Sequence, residues 1–239
     1  MHDRLDKANI DNLTGLWRLM GATEVQHGWQ RSVSWPRRYW CNWEQRGERL
    51  DSGMLDEIPS GYLLPVWQAG EATAEQEQQL RLQGLEVGLE QLAMVLPLDR
   101  ELPVTNSSSL QLSRIDSRDD ADIWADLCGR AFGYSLDAGV IDQLCRQPDV
   151  DVLWATRDGA ALATAILYRT GPVMGVHQVG VPPEFQGQGI ARELMRALLV
   201  RARVAGVEHV SLQASAAGEP LYLSLGFQPR FRIRSYRRA

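Results

Sequence analysis

Apolar and polar positions along the chain follow two periods, and each change of period marks an element. Residues 150–156 and 160–169 are two runs rich in Val, Ile, Ala and aromatic side chains, separated by Asp158-Gly159. Asp-Gly supplies the left-handed backbone that a two-residue turn needs, so the pair predicts a β-hairpin. A further strand is predicted at 173–181, where His177, Val179 and Val181 alternate with Gln178 and Gly180 and so share one face. Pro182-Pro183 ends it, because neither proline can donate a ladder hydrogen bond. From Ile190 the period becomes helical: Ile190, Leu194, Ala197, Leu198 and Ala205 predict a helix over 189–205, stopped by Gly206. A strand over 207–213, a helix around 220–225 and a last strand follow, while upstream lie a strand from Leu110 and helices at 119–132 and 136–146. Strands first in hairpins and then alternating with helices predict a mixed α/β sheet.

The first hundred residues read as a smaller α+β unit. A helix is expected over 13–20, strands over 29–34 and 39–43 about a turn at Pro36, a strand over 61–68, a helix over 72–83 and a strand over 86–98. Six of the eight tryptophans lie here: Trp17, Trp29, Trp35, Trp40, Trp43 and Trp67. Two readings stay open for them, a packed core or a flat surface on which a ligand stacks. The polar stretch Asn106-Ser107-Ser108-Ser109 marks a boundary, giving expected domains of 1–105 and 106–239.

Charge narrows the partners. A net charge of −5 and an acidic pI of about 5.4 argue against nucleic acid, whose binding depends on Lys and Arg at phosphates. The local exception is the last strand, with Arg230, Arg232, Arg234, Arg237 and Arg238, where a solvated edge strand is the expectation. Cys41, Cys128 and Cys145 have neither CxxC nor Cys/His spacing, so neither a disulfide framework nor a metal site is expected. The charged amino terminus and the lack of any run of 18 apolar residues lead us to expect a cytoplasmic protein with no membrane span.

The stretch from His177 to Ala191 carries the chemistry. Gly187 and Gly189 let the backbone curl into a helix start whose first N–H groups have no intrahelical acceptor and sit at the positive end of the helix dipole. Such a turn is an anion cradle. Gln186-Gly187-Gln188-Gly189-Ile190-Ala191 fits the pattern Q/R-x-x-G-x-G/A, and Leu221-Tyr222-Leu223-Ser224-Leu225-Gly226-Phe227 fits L-Y-x-x-x-G-F. In this order and separation the two blocks resemble the GNAT superfamily of acyl-CoA-dependent N-acetyltransferases, over residues 108–239.

The resemblance implies a mixed-sheet GNAT acyltransferase fold with acetyl-CoA as co-substrate and no metal. The pyrophosphate would lie on the main chain of Gly187, Gln188, Gly189, Ile190 and Ala191, flanked by Gln186. The pantetheine arm and thioester oxygen would meet the main chain of Val179, Gly180 and Val181. Tyr222 matches the family's general acid, since a phenol of pKa about 10 keeps its proton at neutral pH. His177 stands where arylalkylamine acetyltransferases carry a histidine that helps remove the amine proton, work suited to an imidazole of pKa about 6.5. With no nucleophilic Cys or Ser near these motifs, the expected reaction is direct transfer, in a ternary complex, to the primary amine of a small molecule or peptide. A homodimer stays open, and neither nucleic acid nor membrane is an expected partner. The competing reading is a non-catalytic acyl-CoA sensor or a scaffold whose Trp-rich half binds a partner. Finally, residues 79–85 repeat the shape of residues 221–227, with Leu80 where Tyr222 stands. The first domain thus resembles a reduced GNAT-like unit that has lost the cofactor turn, an architecture similar either to tandem members such as mycothiol synthase or to members with a partial N-terminal unit such as the nucleotide-sugar amine acetyltransferases, and is expected to wall the acceptor side.

Overall fold

A computed structural model describes residues 2–25, 28–46, 50, 52–56, 58–67, 71–99 and 109–238. The chain divides into two compact units, Met1–Met94 with Gln213–Ala239, and Val95–Leu212. All but Ser109 of the polar boundary stretch lies outside the described residues.

The first unit opens with α1 (His2–Leu19), β1 (Ala22–Glu24), β2 (Gln30–Ser32) and β3 (Tyr39–Trp40), followed by a 3-10 turn over Trp43–Gln45 and α2 (Ser52–Asp56). Then come β4 (Leu64–Trp67), α3 (Glu71–Leu82) and β5 (Leu85–Pro97), whose last residues pass into the second unit. β1, β2 and β3 form an antiparallel three-stranded sheet, with Gln30 opposite both Glu24 and Trp40. All six early tryptophans are at most 8% exposed. Trp17 of α1 meets Trp40 edge-on with centroids 5.1 Å apart, and tilts over Trp67 at 6.3 Å. Trp29 stacks on Tyr39 at 5.4 Å, and the Trp67 indole donates to the Cys41 carbonyl at 3.1 Å. The tryptophans are therefore core, and the reading of a ligand-stacking surface is set aside for them, because a ring this covered has no free face.

The chain returns to this unit at its end, through α7 (Glu219–Ser224) and β11 (Gln228–Arg238). β11 pairs antiparallel with β4, Ile233 opposite Trp67, and lies between β4 and β5. The expectation of a solvated edge strand is thus corrected. Its arginines stay charged beside two strands because acidic partners far away in sequence meet them. Arg234 contacts Glu77 at 3.0 Å and Glu90 at 2.8 Å, Arg232 contacts Glu90 at 3.1 Å, and Arg230 contacts Asp6 at 2.7 Å. Glu77 is only 6% exposed and forms ion pairs with both Arg234 and Arg81. The shape read from the sequence does recur: α3 leads through Gly84 (φ +77°) into β5, and α7 leads through Gly226 (φ +91°) into β11.

The second unit comprises β6 (Gln111–Arg114), α4 (Arg118–Phe132), α5 (Ala138–Cys145), β7 (Val150–Arg157), β8 (Ala160–Thr170) and β9 (Val173–Gly180). A 3-10 turn over Pro183–Phe185, α6 (Ile190–Val204) and the start of β10 (His209–Ala214) complete it. Its strands lie in the order β10-β9-β8-β7-β6; β10 is parallel to β9 and the other pairs are antiparallel. Asp158 (φ +52°) and Gly159 (φ +80°) close the β7–β8 hairpin between Arg157 and Ala160, a two-residue turn with both central residues left-handed, as their types predict. α4 begins at Ser117, whose hydroxyl accepts from the Asp120 N–H at 3.1 Å, and ends at left-handed Gly133. The Trp124 indole donates to the Leu153 carbonyl at 2.7 Å and ties α4 to β7. α6 buries Ile190, Leu194 and Leu198 of the predicted stripe, together with Met195, Leu199 and Ala202, whereas Ala197 and Ala205 are only partly buried.

Candidate functional site

β9 is the strand on which the second unit's irregularities gather. β10 runs beside it from His209 to Ser211, opposite Val173 to Gly175, and the described pairing goes no further. On the other side, His177 faces Ile166 and Gly180 faces Thr164, so three steps along β9 match two along β8. Gln178 and Val179 therefore share one partner position, which is a β-bulge. Gln178 is left-handed, with φ +50°. The bulge corrects the face assignment made from alternation: Gly180, not Val179, follows His177 on the same side of the sheet. The described pairing with β10 thus stops at Gly175, short of the bulge.

Gly180 is required sterically, since a Cβ there would come within 2.9 Å of Ala131 and Phe132 and 3.0 Å of the Thr164 hydroxyl. α4 thus lies directly against the end of β9. The Thr164 hydroxyl donates to the Gln178 carbonyl at 3.0 Å. The Gln178 side-chain oxygen accepts from the Tyr134 hydroxyl at 3.2 Å and the Cys128 thiol at 3.5 Å. Cys128 does lie near the predicted site, but burial pushes its thiol up to about 12, so it stays protonated and is no nucleophile. His177 is buried, at 7% exposure.

Beyond β9 the chain makes its 3-10 turn and reaches Gly187 (φ +76°) and Gly189 (φ +78°). The Gln186 amide donates to the Val181 carbonyl at 2.9 Å and closes the loop on itself. Gly189 caps α6 without a side-chain hydrogen bond, so the first-turn N–H groups keep no intrahelical acceptor. A Cβ on Gly187 or Gly189 would meet no heavy atom within 4 Å. The space over the turn is open, and the residues around it are exposed. Such a cradle, with outward N–H groups at a helix start and no side chain above them, fits a diphosphate.

Against known proteins, residues 148–229 match the profile described as the acetyltransferase (GNAT) domain. Those residues form a GNAT domain. Over 217 residues the chain is 28% identical to a mycothiol acetyltransferase of Acidothermus cellulolyticus, an alignment covering 77% of this chain and 65% of that protein. Over 54 residues it is 46% identical to the N-alpha-acetyltransferase RimI of Mycobacterium tuberculosis, covering 22% and 34%. The chain thus spans less than two thirds of the length of these curated relatives. Among solved structures, a GCN5-related N-acetyltransferase from Kribbella flavida superposes with TM-score 0.68 at 17% identity, covering 100% of this chain and 95% of that one. Another from Sphaerobacter thermophilus gives 0.63 at 17% identity, covering 88% and 76%. These two share the fold.

The GNAT site residues expected from sequence fall in two groups. His177, Val179, Gly180, Val181 and residues 186–191 lie on consecutive elements of the second unit. Tyr222 belongs by packing to the first unit, where its ring meets Phe227 edge-on at 5.8 Å and its carbonyl accepts from the Phe227 N–H at 3.1 Å. Burial pushes the Tyr222 phenol up to about 12. Sequence reasoning missed Thr164, Tyr134, Cys128 and the strained Gln178, because a bulge leaves no mark on an alternating pattern. It also missed Glu193 in the first turn of α6, which accepts from Ser109 N at 2.6 Å, Leu110 N at 3.1 Å and Arg157 at 3.0 Å. Arg130 of α4 forms an ion pair with Glu184 in the loop before the cradle. A cleft of about 490 Å³, lined by Asp126, Gly129, Arg130, Tyr134 and Leu136 among others, opens along α4 and includes none of the expected site residues.

Proposed function

We propose that the protein transfers an acetyl group from acetyl-CoA to a primary amine by direct attack in a ternary complex. The observation that carries this reading is the glycine-capped start of α6, open above and downstream of the bulged end of β9. The co-substrate supplies an activated thioester carbonyl. Residues 187–191 hold its diphosphate through their N–H groups, with Gln186 closing the loop beneath. Main-chain groups of Val179, Gly180 and Val181 orient the arm and donate to the thioester oxygen. His177 takes up a proton from the attacking nitrogen. As the new C–N bond forms, the C–S bond breaks and the electron pair leaves on sulfur.

Magnitudes then set the part played by Tyr222. At about 12 its phenol is a weaker acid than an alkyl thiol, so full proton transfer to the departing sulfur is uphill. Its contribution is a hydrogen bond to the developing thiolate, available at any pH at which the protein is folded below about 11. The thiolate leaves with that bond in place and is protonated later by solvent or by the proton given up by the amine.

The acceptor in this reading is a small-molecule or peptide amine, which the similarity to a mycothiol acetyltransferase and to an N-alpha-acetyltransferase supports. The test is release of free thiol from acetyl-CoA in the presence of amines, amino acids, nucleotide-sugar amines and short peptides. Amine-dependent release is the expected result. Tight binding of acetyl-CoA with no release across the panel would instead make the protein a sensor or scaffold.

A further inference from the structure

Gln178 is the one residue of the β9 bulge with a positive φ, and glutamine is not a residue that takes φ +50° without cost. A left-handed backbone at a residue with a Cβ costs about 1–2 kcal/mol. It persists only where surroundings hold it, and here both ends of the residue are held. The buried hydroxyl of Thr164 donates to its carbonyl at 3.0 Å, while Tyr134 and Cys128 donate to its side-chain oxygen at 3.2 and 3.5 Å. Thr164 is fully buried on β8, and Cys128 and Tyr134 flank the end of α4. Ala131 and Phe132 of that same helix end close on Gly180, where no Cβ fits. Five groups, from β8, from α4 and from just past its end, thus converge on two residues of β9, Gln178 and Gly180. Tyr134 is itself 43% exposed and stacks on Phe132, which is 42% exposed, at 5.7 Å, so no requirement of core packing puts it on Gln178.

We propose that Gln178, gripped by Tyr134, Cys128 and Thr164, is a positioning residue: the clamp fixes the bulge so that the main chain of residues 179–181 is presented at the angle acyl transfer needs. This rests on the acetyl-transfer reading above for its kinetic consequence, though not for its existence. The clamp acts on orientation at the reacting carbonyl, whereas affinity for the co-substrate comes from the glycine cradle nine to thirteen residues further on. Loosening the clamp therefore lowers kcat and spares binding.

The test uses the full chain with Gln178→Leu, Tyr134→Phe, the two combined, and Gln178→Glu, which keeps an oxygen acceptor on the same stem. Gln178→Leu and Tyr134→Phe should each lower kcat by about 10-fold, with KM for acetyl-CoA and the calorimetric Kd of CoA within about 2-fold. The combined variant should be no slower than the worse single variant, because both break one unit. Gln178→Glu should recover most of the rate lost in Gln178→Leu. A second readout is independent of turnover: amide hydrogen exchange over residues 176–182 should be faster in both single variants, with melting temperatures little changed. Losses that multiply, a rise in Kd that matches the fall in kcat, or unchanged exchange in both variants would each overturn the clamp. Should the wild-type protein turn over none of the amines, the transfer reading fails while the exchange measurement alone still decides on the clamp.

Discussion

Replacing Gly189 separates the two things that glycine supplies. Its φ of +78° is left-handed, so alanine costs about 1–2 kcal/mol in backbone strain. A Cβ there meets no heavy atom within 4 Å, so no steric penalty adds to the strain in the free protein. Gly189→Ala should therefore fold, with Tm lower by roughly 2–8 °C. Gly189→Glu bears the same strain, offset by about 0.3–1 kcal/mol from a negative charge at the α6 N-terminus, and should be no less stable than the alanine variant. Asparagine tolerates left-handed backbone better and should keep most of the wild-type Tm. Affinity for CoA should follow a different order. Any side chain at residue 189 fills the open space over the cradle, and a carboxylate there opposes the diphosphate charge as well. Glutamate should weaken CoA by at least about 100-fold, equivalent to roughly 2.7 kcal/mol, alanine by less, and asparagine by more than its small stability loss would suggest. Calorimetric titration of CoA into the four proteins, beside thermal melts, reads both orders. A folded Gly189→Glu variant that binds CoA with the wild-type Kd would refute the cradle.

Tyr222→Phe should lower kcat by about 10²-fold at constant CoA affinity; because the phenol holds its proton to about 12, the alkaline limb of the wild-type pH profile below pH 11 should persist in the variant, and its disappearance would reassign the tyrosine. His177→Ala should lower kcat/KM for the amine by about 10²-fold while leaving calorimetric CoA binding intact, and unchanged amine kinetics would remove the histidine from the reaction. Cys128, with its thiol near 12 and its sulfur buried, should stay unmodified by iodoacetamide at pH 8 in the folded protein and react promptly in denaturant, as peptide mass spectrometry would show. Glu90 is held below the usual carboxylate range, first by the hydrogen bond from Arg234. A depressed carboxylate adds stability that is complete above its unfolded pKa of about 4.3 and is lost as pH falls through the folded value. Glu90→Gln should flatten the fall of stability below pH 4 in denaturant titrations, and an unchanged acid slope would count against the pair.

The sequence by itself determined the local elements of the second unit and its cradle, because those depend on short-range rules. Asp158-Gly159 closes a hairpin since both residues tolerate positive φ, Ser117 and Gly133 bound α4, and Gly187 and Gly189 bend the chain into α6. The period of the apolar residues likewise placed Ile190, Leu194 and Leu198 on the buried face of α6, while Met195, Leu199 and Ala202 joined them only through packing. Only tertiary structure decided what depends on partners distant in sequence. Alternation along β9 is correct up to His177 and fails at Gln178, where β8 and α4 impose a bulge that no neighbour in sequence announces. Five arginines on the last strand read as an edge because charge at a strand ordinarily needs water. The fold instead meets them with Glu77, Glu86, Glu90, Asp6 and Asp56, as far as 224 residues away, and so can place β11 between two strands. The tryptophans show the same division: their number marked the first unit as unusual, but whether an indole faces a ligand or a core depends on burial, and burial is a property of the packed chain alone.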